Sequence, residues 1–288
     1  MESLTLGPHD PRQNHLLAAL PADEYGRLCT HLELLPMPLG LVLSESGIPM
    51  RYVYFPTTAI VSRLYVLEDG STGEIAVVGN EGLVGVSLIM GGETSPTMAV
   101  VQNGGQAYRL KAELLKQAFS HSSRLQHLLL LYTQAVLTQV AQTAVCNRHH
   151  SLDQQLCRWL LSRLDRLSSN EVTMTQGLIA TLLGVRREGI TEAAGNLQRA
   201  GLIEYRRGQI TVIDRAGLEV RVCECYAVVK KEFDRLLPEA VVVKSAANRM
   251  GLHSIAQSPL SRIPSEMNAE MIMRPAVVWP PFNPSGHA

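Results

Sequence analysis

Net charge is the first thing this chain lacks: 26 Lys and Arg balance 26 Asp and Glu over 288 residues. The whole-chain balance therefore points to neither a nucleic acid nor an acidic membrane surface. Cysteine is sparse and odd in number, with Cys29, Cys146, Cys157, Cys223 and Cys225 scattered along the sequence. That spacing gives no disulfide framework and suits a reducing compartment. No run of about 18 consecutive apolar residues occurs, which argues against a membrane span. The first residues, MESLTLGPHDPRQNH, hold no basic stretch followed by an apolar one, so no secretory signal is read there. A cytoplasmic protein is the expectation. Also missing are Gly-x-Ser-x-Gly, a Walker loop and His-Glu-x-x-His. Glu68–Asp69 sits at a hairpin turn and reads as a solvated pair, so catalysis is not expected.

What is present is a chain of 46% hydrophobic and 18% charged residues, a globular composition long enough for two domains. The neutral total hides an asymmetry. Residues 1–144 carry 8 Lys/Arg against 12 Asp/Glu, whereas residues 145–236 carry 14 against 11. An acidic front and a mildly basic rear suit a regulatory unit joined to one that meets a polyanion.

From about Pro36 to Arg109 the pattern is β. Arg51–Phe55, Ala59–Leu67, Gly73–Val78 and Met98–Gln102 are rich in Val, Ile, Tyr and Phe, and turn formers separate them. Asp69–Gly70 marks a hairpin, and short strands at close intervals predict an antiparallel roll. From Lys111 to Arg148 there is neither proline nor glycine. Apolar residues recur there every three to four positions, as in one or two helices. Leu125, Leu129, Tyr132, Val136 and Val140 are spaced like a coiled-coil seam, which predicts a dimer helix; the alternative is that this stripe packs on the chain's own roll. Ser151–Leu167, Thr175–Leu183 and Arg186–Ala200 read as helices, Ile203–Ile213 as a hairpin turning at Arg207–Gly208, and Val220–Leu237 as a last helix. The fold class is α+β, with a roll in 1–110, a dimerisation helix in 111–148 and a winged helix-turn-helix in 149–238. Residues 239–288 are proline-rich and aperiodic and read as a disordered tail, in which Val241–Val243 and Val277–Trp279 are apolar enough to leave a short docking motif as the minor alternative.

The sharpest constellation is residues 175–203. Thr175 suits an N-cap. Ala180 is small where two helices would cross, and Gly184 can end the first helix in the left-handed region without Cβ strain. Ile190, with Leu183, Val185 and Leu197, would fill the wedge between the helices. Arg186, Arg187 and Glu188 then open the second helix, whose N-terminal end is the part that reaches base edges. Arginine can bond guanine bidentately, and glutamate can accept from cytosine. Thr191, one turn on, could meet a thymine methyl or a phosphate, and Arg206 and Arg207 at the hairpin tip could meet phosphates. Gly189 and Gly195 inside this helix should each cost about 1 kcal/mol against alanine, which predicts close packing there.

On these residues, above all Gly184–Glu188, the chain resembles the Crp/Fnr superfamily of bacterial transcription regulators over roughly residues 15–237. The resemblance implies a homodimer paired along the long helix and bound to a two-fold symmetric DNA site. Arg187 and Glu188 would then read bases, while Thr175 and Gln176 contact the backbone. Arg186 is better placed for a phosphate, and Thr191 joins the base-reading set. Double-stranded DNA, a second copy and RNA polymerase are the implied partners, with no membrane. The front of the chain is similar to that family's cyclic-nucleotide-binding roll. Aligning residues 79–102 puts Val86 at the family's ribose-binding glutamate and Pro96 at its phosphate-binding arginine, with Thr97 kept at the hydroxyl position. Burying a phosphate beside no arginine costs several kcal/mol, so cyclic AMP is not expected to bind. Gly82 and Gly85, with Val86 and Thr97, remain the candidate effector pocket for another signal, and Gly79, Gly91 and Gly92 add backbone N–H groups able to face an anion. The favoured alternative is that these glycines are simply the turns of the roll. The competing reading is a sensor in which the helix-turn-helix is mainly a scaffold.

No cofactor is expected. Cys146, His149 and His150 lie near one another at the end of the long helix, and Cys223 and Cys225 flank Glu224. On one continuous helix positions 223 and 225 point about 200° apart, so the sequence argues against a shared metal ion.

Overall fold

Asn14 anchors the start of the fold: its side chain accepts from the N–H groups of Leu16 and Leu17 and donates to the carbonyls of Pro56 and Gly82. It begins the short helix α1 (His15–Ala18), which α2 (Ala22–Cys29) follows. The computed structural model describes residue 7 and residues 9–237, so the expected tail and its two apolar segments lie outside the described residues.

Seven strands then build the roll: β1 (Glu33–Met37), β2 (Val42–Ser44), β3 (Tyr52–Pro56), β4 (Ile60–Val66), β5 (Thr72–Val78), β6 (Met98–Asn103) and β7 (Gly105–Lys111). They pair antiparallel in two sheets, β1-β7-β3 and β2-β6-β4-β5, with α3 (Val86–Ile89) in the loop between β5 and β6. Val61, Val78, Val84, Ala99, Val101 and Ala107 fill the space inside. The four strands read from β-branched runs are present within a residue or two. β1, β2 and β7 have weaker signals, since β1 contains Pro36, β2 is three residues long and β7 opens on glycine.

The helical segment after the roll divides at Ser122 into α4 (Ala112–His121) and α5 (Ser123–His149). Ser122 is extended and its side chain accepts from the Leu125 N–H at 3.1 Å, so it ends one helix by capping the next. Among the described residues α5 alone is long and apolar enough to cross a membrane. Here Leu125, Leu129, Tyr132 and Val136 are buried against β3, β7 and the first helices.

The rear domain contains α6 (Leu152–Leu164), β8 (Glu171–Thr173), α7 (Gln176–Leu183), α8 (Arg187–Arg199), β9 (Ile203–Arg206), β10 (Gln209–Val212), α9 (Arg215–Arg221) and α10 (Glu224–Leu236). Strands β8, β10 and β9 form a small antiparallel sheet. Leu156, Trp159, Leu160, Ile179, Leu183, Ile190, Leu197 and Ile210 are its core, to which Leu64 of the roll is added. The expected helix Val220–Leu237 is in fact two. Val222 and Cys223 are extended, with ψ of 152° and 162°, so α9 stops and α10 doubles back along α5.

Two ion pairs fasten the rear domain to the roll. Arg163 of α6 donates to Glu74 of β5 at 2.5 Å, and Arg166 to Glu81 at 2.7 Å. The Arg163 guanidinium lies 3.6 Å from the centre of the Trp159 ring. Burial pulls Arg163 below its usual range although Glu74 opposes this.

Candidate nucleic-acid interface

The helix-turn-helix is built as the residue types require. Thr175 caps α7, its side chain accepting from the Leu178 N–H at 3.2 Å. Gly184 ends the helix at φ 67°, ψ 35°, which lets the Val185 N–H return to the Ala180 carbonyl at 3.0 Å. Ala180 is 4% exposed and Ile190 is fully buried, so α7 and α8 cross closely with the aliphatic wedge between them.

Arg186 is the N-cap of α8, and Arg187 and Glu188 are its first two residues. All three are exposed, as is Thr191. Among the described residues Arg186 and Arg187 make no ion pair, so the positive end of the helix dipole and two free guanidinium groups face the same surface. The Thr191 hydroxyl is already engaged: it donates to Gln176 Oε1 at 2.8 Å and lies 3.1 Å from the Arg187 carbonyl. That leaves its methyl as the free contact and ties Gln176 to α8. At the wing tip Arg207 is held at φ 49° and Gly208 at φ 82°. The Gly208 carbonyl accepts from Met174 N–H at 2.7 Å, which seats the tip beside Thr175. Arg206 pairs loosely with Glu204 at 3.7 Å, with both side chains exposed. The wing tip is thus tied to the start of α7, and Gln176 ties α7 to Thr191 of α8, while Arg186, Arg187, Glu188, Arg206 and Arg207 are all exposed. Gly189 is close-packed as expected, since a Cβ there would meet Leu152 Cδ2 at 2.7 Å, but Gly195 is open and its glycine has no packing explanation.

The roll pocket is a different matter. Tyr132 of α5 is buried, packs over Gly82 and donates from its hydroxyl to the Leu83 carbonyl at 3.0 Å. Burial pushes its phenol above the usual range. Gly85 has φ 123° and faces Val53, and Val86 is buried in the core beneath α4 and α5. Thr97 is buried too and bonds to Ser95 at 2.7 Å. A cation there was not legible in the sequence: Arg63, on β4, reaches Thr97 Oγ1 at 3.4 Å and makes no ion pair among the described residues, whereas Arg166, beside Gly79, is paired with Glu81.

Two expectations need correction. Leu125, Leu129, Tyr132 and Val136 are spent inside the chain's own core, with Val140 packed against it, so they form no seam for a partner. The outer face of α5 instead exposes Leu130, Leu137, Ala141 and Ala144, which repeat at intervals of seven, four and three. The argument against a shared metal ion also fails. Cys223 precedes α10 rather than lying on it, and the ligand atoms of Cys146, His150, Cys223 and Cys225 fall within 4.8 Å of one another. His149 is exposed and outside this group.

The described chain thus joins a roll, a long helix and a winged helix-turn-helix whose second helix opens on exposed residues. Residues 154–221 match the family of Crp-like helix-turn-helix domains. The fold is shared with a Crp/Fnr-family regulator from Eubacterium rectale at 18% identity, covering 73% of this chain and 98% of that one, with a TM-score of 0.59. FixK2 from Bradyrhizobium japonicum is similar at 18% identity, 67% and 98% coverage and a TM-score of 0.59. The c-di-GMP-responsive global regulator CLP from Xanthomonas campestris matches at 18% identity, 67% and 99% coverage and 0.53. No curated protein matches the chain. Residues 154–221 are thus a Crp-like helix-turn-helix domain, and the chain shares its fold with Crp/Fnr-family structures.

Proposed function

We propose that this regulator reads a two-fold symmetric DNA site as a homodimer, placing each α8 in a major groove about 34 Å from its twin. Arg187 and Glu188 read a G·C pair, and the Thr191 methyl packs beside them. Thr175, Gln176, Arg186, Arg206 and Arg207 hold phosphates and set the register. The observation that carries this reading is the first turn of α8: exposed, cationic and flanked by both the α7 cap and the wing. A scaffold would need that face covered, and it is open. Dimerisation uses the outer face of α5, and RNA polymerase is the further partner, in the cytoplasm. The roll senses a signal other than cyclic AMP, because Tyr132 packs over Gly82 and Val86 is part of the core.

Genomic footprinting with the purified protein supplies the site, and fluorescence anisotropy then compares the Arg187→Ala, Glu188→Ala double variant with the parent. Each good base contact contributes about 1–3 kcal/mol of discrimination, so preference for the site over random DNA should fall at least tenfold. Non-specific binding should persist. Unchanged preference would remove the base-reading role from these residues.

A further inference from the structure

We propose that Cys146, His150, Cys223 and Cys225 form a binding site for a thiophilic divalent cation of the zinc class, fastening the end of α5 to the start of α10. The four donors come from two segments more than 70 residues apart, and the fold gathers them for reasons visible at each position. Cys146 lies in the last turn of α5, and His150 is the extended residue that caps it, its N–H bonding back to the Cys146 carbonyl at 3.0 Å, which keeps the two residues together. Cys223 has extended backbone as the N-cap of α10, and Cys225 lies in its first turn, which brings both sulfurs to one point.

The geometry is close to that of a tetrahedral site. Cys146 Sγ and Cys223 Sγ are 3.6 Å apart, and Cys225 Sγ and His150 Nδ1 are 3.4 Å apart. Zinc–sulfur bonds of about 2.3 Å and zinc–nitrogen bonds of about 2.0 Å imply tetrahedral edges of about 3.8 and 3.5 Å. Two opposite edges therefore already have the right length. The widest pair, within 4.8 Å, needs to close by only about 1 Å, a small rotamer adjustment relative to the ideal edge.

The surroundings support cation binding over packing. All three thiols are buried, at 0%, 2% and 0% exposure, and form a cluster of their own outside the three apolar cores. His150 keeps 15% of its side chain exposed, which gives an ion a way in. Its Nδ1 faces the sulfurs while its Nε2 lies 3.3 Å from Glu224, the carboxylate–imidazole arrangement that fixes the tautomer of a metal-bound histidine. Gln142 Nε2 donates to Cys225 Sγ at 3.1 Å, as an outer donor to a thiolate would. Binding would release the thiol protons and leave a closed Cys3His site of the structural kind. His150 also ends α5 one residue before Ser151 caps α6, so the ion would sit at the joint between roll and head. The proposal requires the folded head, not the assignment of any base contact.

The test is a cobalt titration of the full-length, reduced chain after chelator treatment. A single Co2+ per chain should give the intense visible bands of a tetrahedral thiolate site, and zinc should bleach them stoichiometrically. Cys223→Ser with Cys225→Ser should abolish the bands, while Cys29→Ser with Cys157→Ser should keep them. If the first pair does not fold, Glu224→Gln gives the readout instead, since loss of such an outer partner weakens metal binding about 10- to 100-fold. A folded, reduced parent that shows no cobalt bands would overturn the proposal. So would bands unaltered by Cys223→Ser with Cys225→Ser, or freshly isolated protein holding a Cys146–Cys223 disulfide and no metal.

Discussion

Gly184 is the residue on which the recognition surface turns. Its φ of 67° lets α7 stop and α8 leave at the crossing angle that Ala180 and Ile190 fill. A Cβ at that position meets no neighbour, so the effect of Gly184→Ala isolates backbone strain from packing. The left-handed region costs an L-residue roughly 1–2 kcal/mol. Chemical denaturation should show that loss, with the recognition face intact in the fraction that remains folded. A change below about 0.5 kcal/mol, the ordinary range for a neutral surface substitution, would mean that the turn relaxes elsewhere. Gly184, Ala180 and Ile190 were legible in the sequence because each answers one local demand: a positive φ, a close crossing, a buried wedge. Arg63 and Cys223 were not. Arg63 acquires meaning only when β4 turns it toward Thr97, and Cys223 only when the chain leaves helical backbone at Val222. No glycine or proline announces that break.

At the scale of elements, periodicity revealed that α5 has an apolar stripe but not what would cover it. A helix with apolar residues on two faces satisfies a coiled-coil spacing on either. The five positions read as a partner seam are the ones the roll and α10 consume, and Tyr132 shows why: its ring closes over Gly82, a contact between residues 50 apart that no local pattern encodes. The docking of α6 on β5 is likewise long-range. Glu74 accepts from Arg163 and from the Ser62 hydroxyl, and both members of the ion pair are almost wholly buried. Removing one partner of such a pair costs about 3–5 kcal/mol, because the other charge stays buried without compensation. Glu74→Gln should therefore destabilise the chain by about that amount, read by denaturation followed through Trp159 fluorescence in a Trp279→Phe background. Glu74→Gln with Arg163→Met should recover much of it, since replacing both charges removes the stranded one. A Glu74→Gln protein as stable as the parent would show that the two domains are not held by this pair.

At the scale of the molecule, the two faces of α5 make opposite predictions, and that contrast decides how the protein assembles. Leu137 is 58% exposed and Leu129 is 1% exposed, eight residues away along the same helix. If the outer face is the dimer interface, Leu137→Glu leaves the protomer's stability within about 0.5 kcal/mol, as for an ordinary surface change. It nonetheless places like charges against each other across the two-fold axis. Sedimentation velocity should then report a monomer at concentrations where the parent is a dimer. Affinity for a full two-fold site should drop by about 100-fold or more, because the second half-site is no longer reached intramolecularly, while affinity for an isolated half-site holds. Leu129→Glu should instead unfold the roll, since it buries a carboxylate among Leu125, Tyr132 and Val136. A Leu137→Glu protein that remains dimeric would move the interface off this face. Because the inner stripe is already occupied, it would also force a search for a surface outside α5.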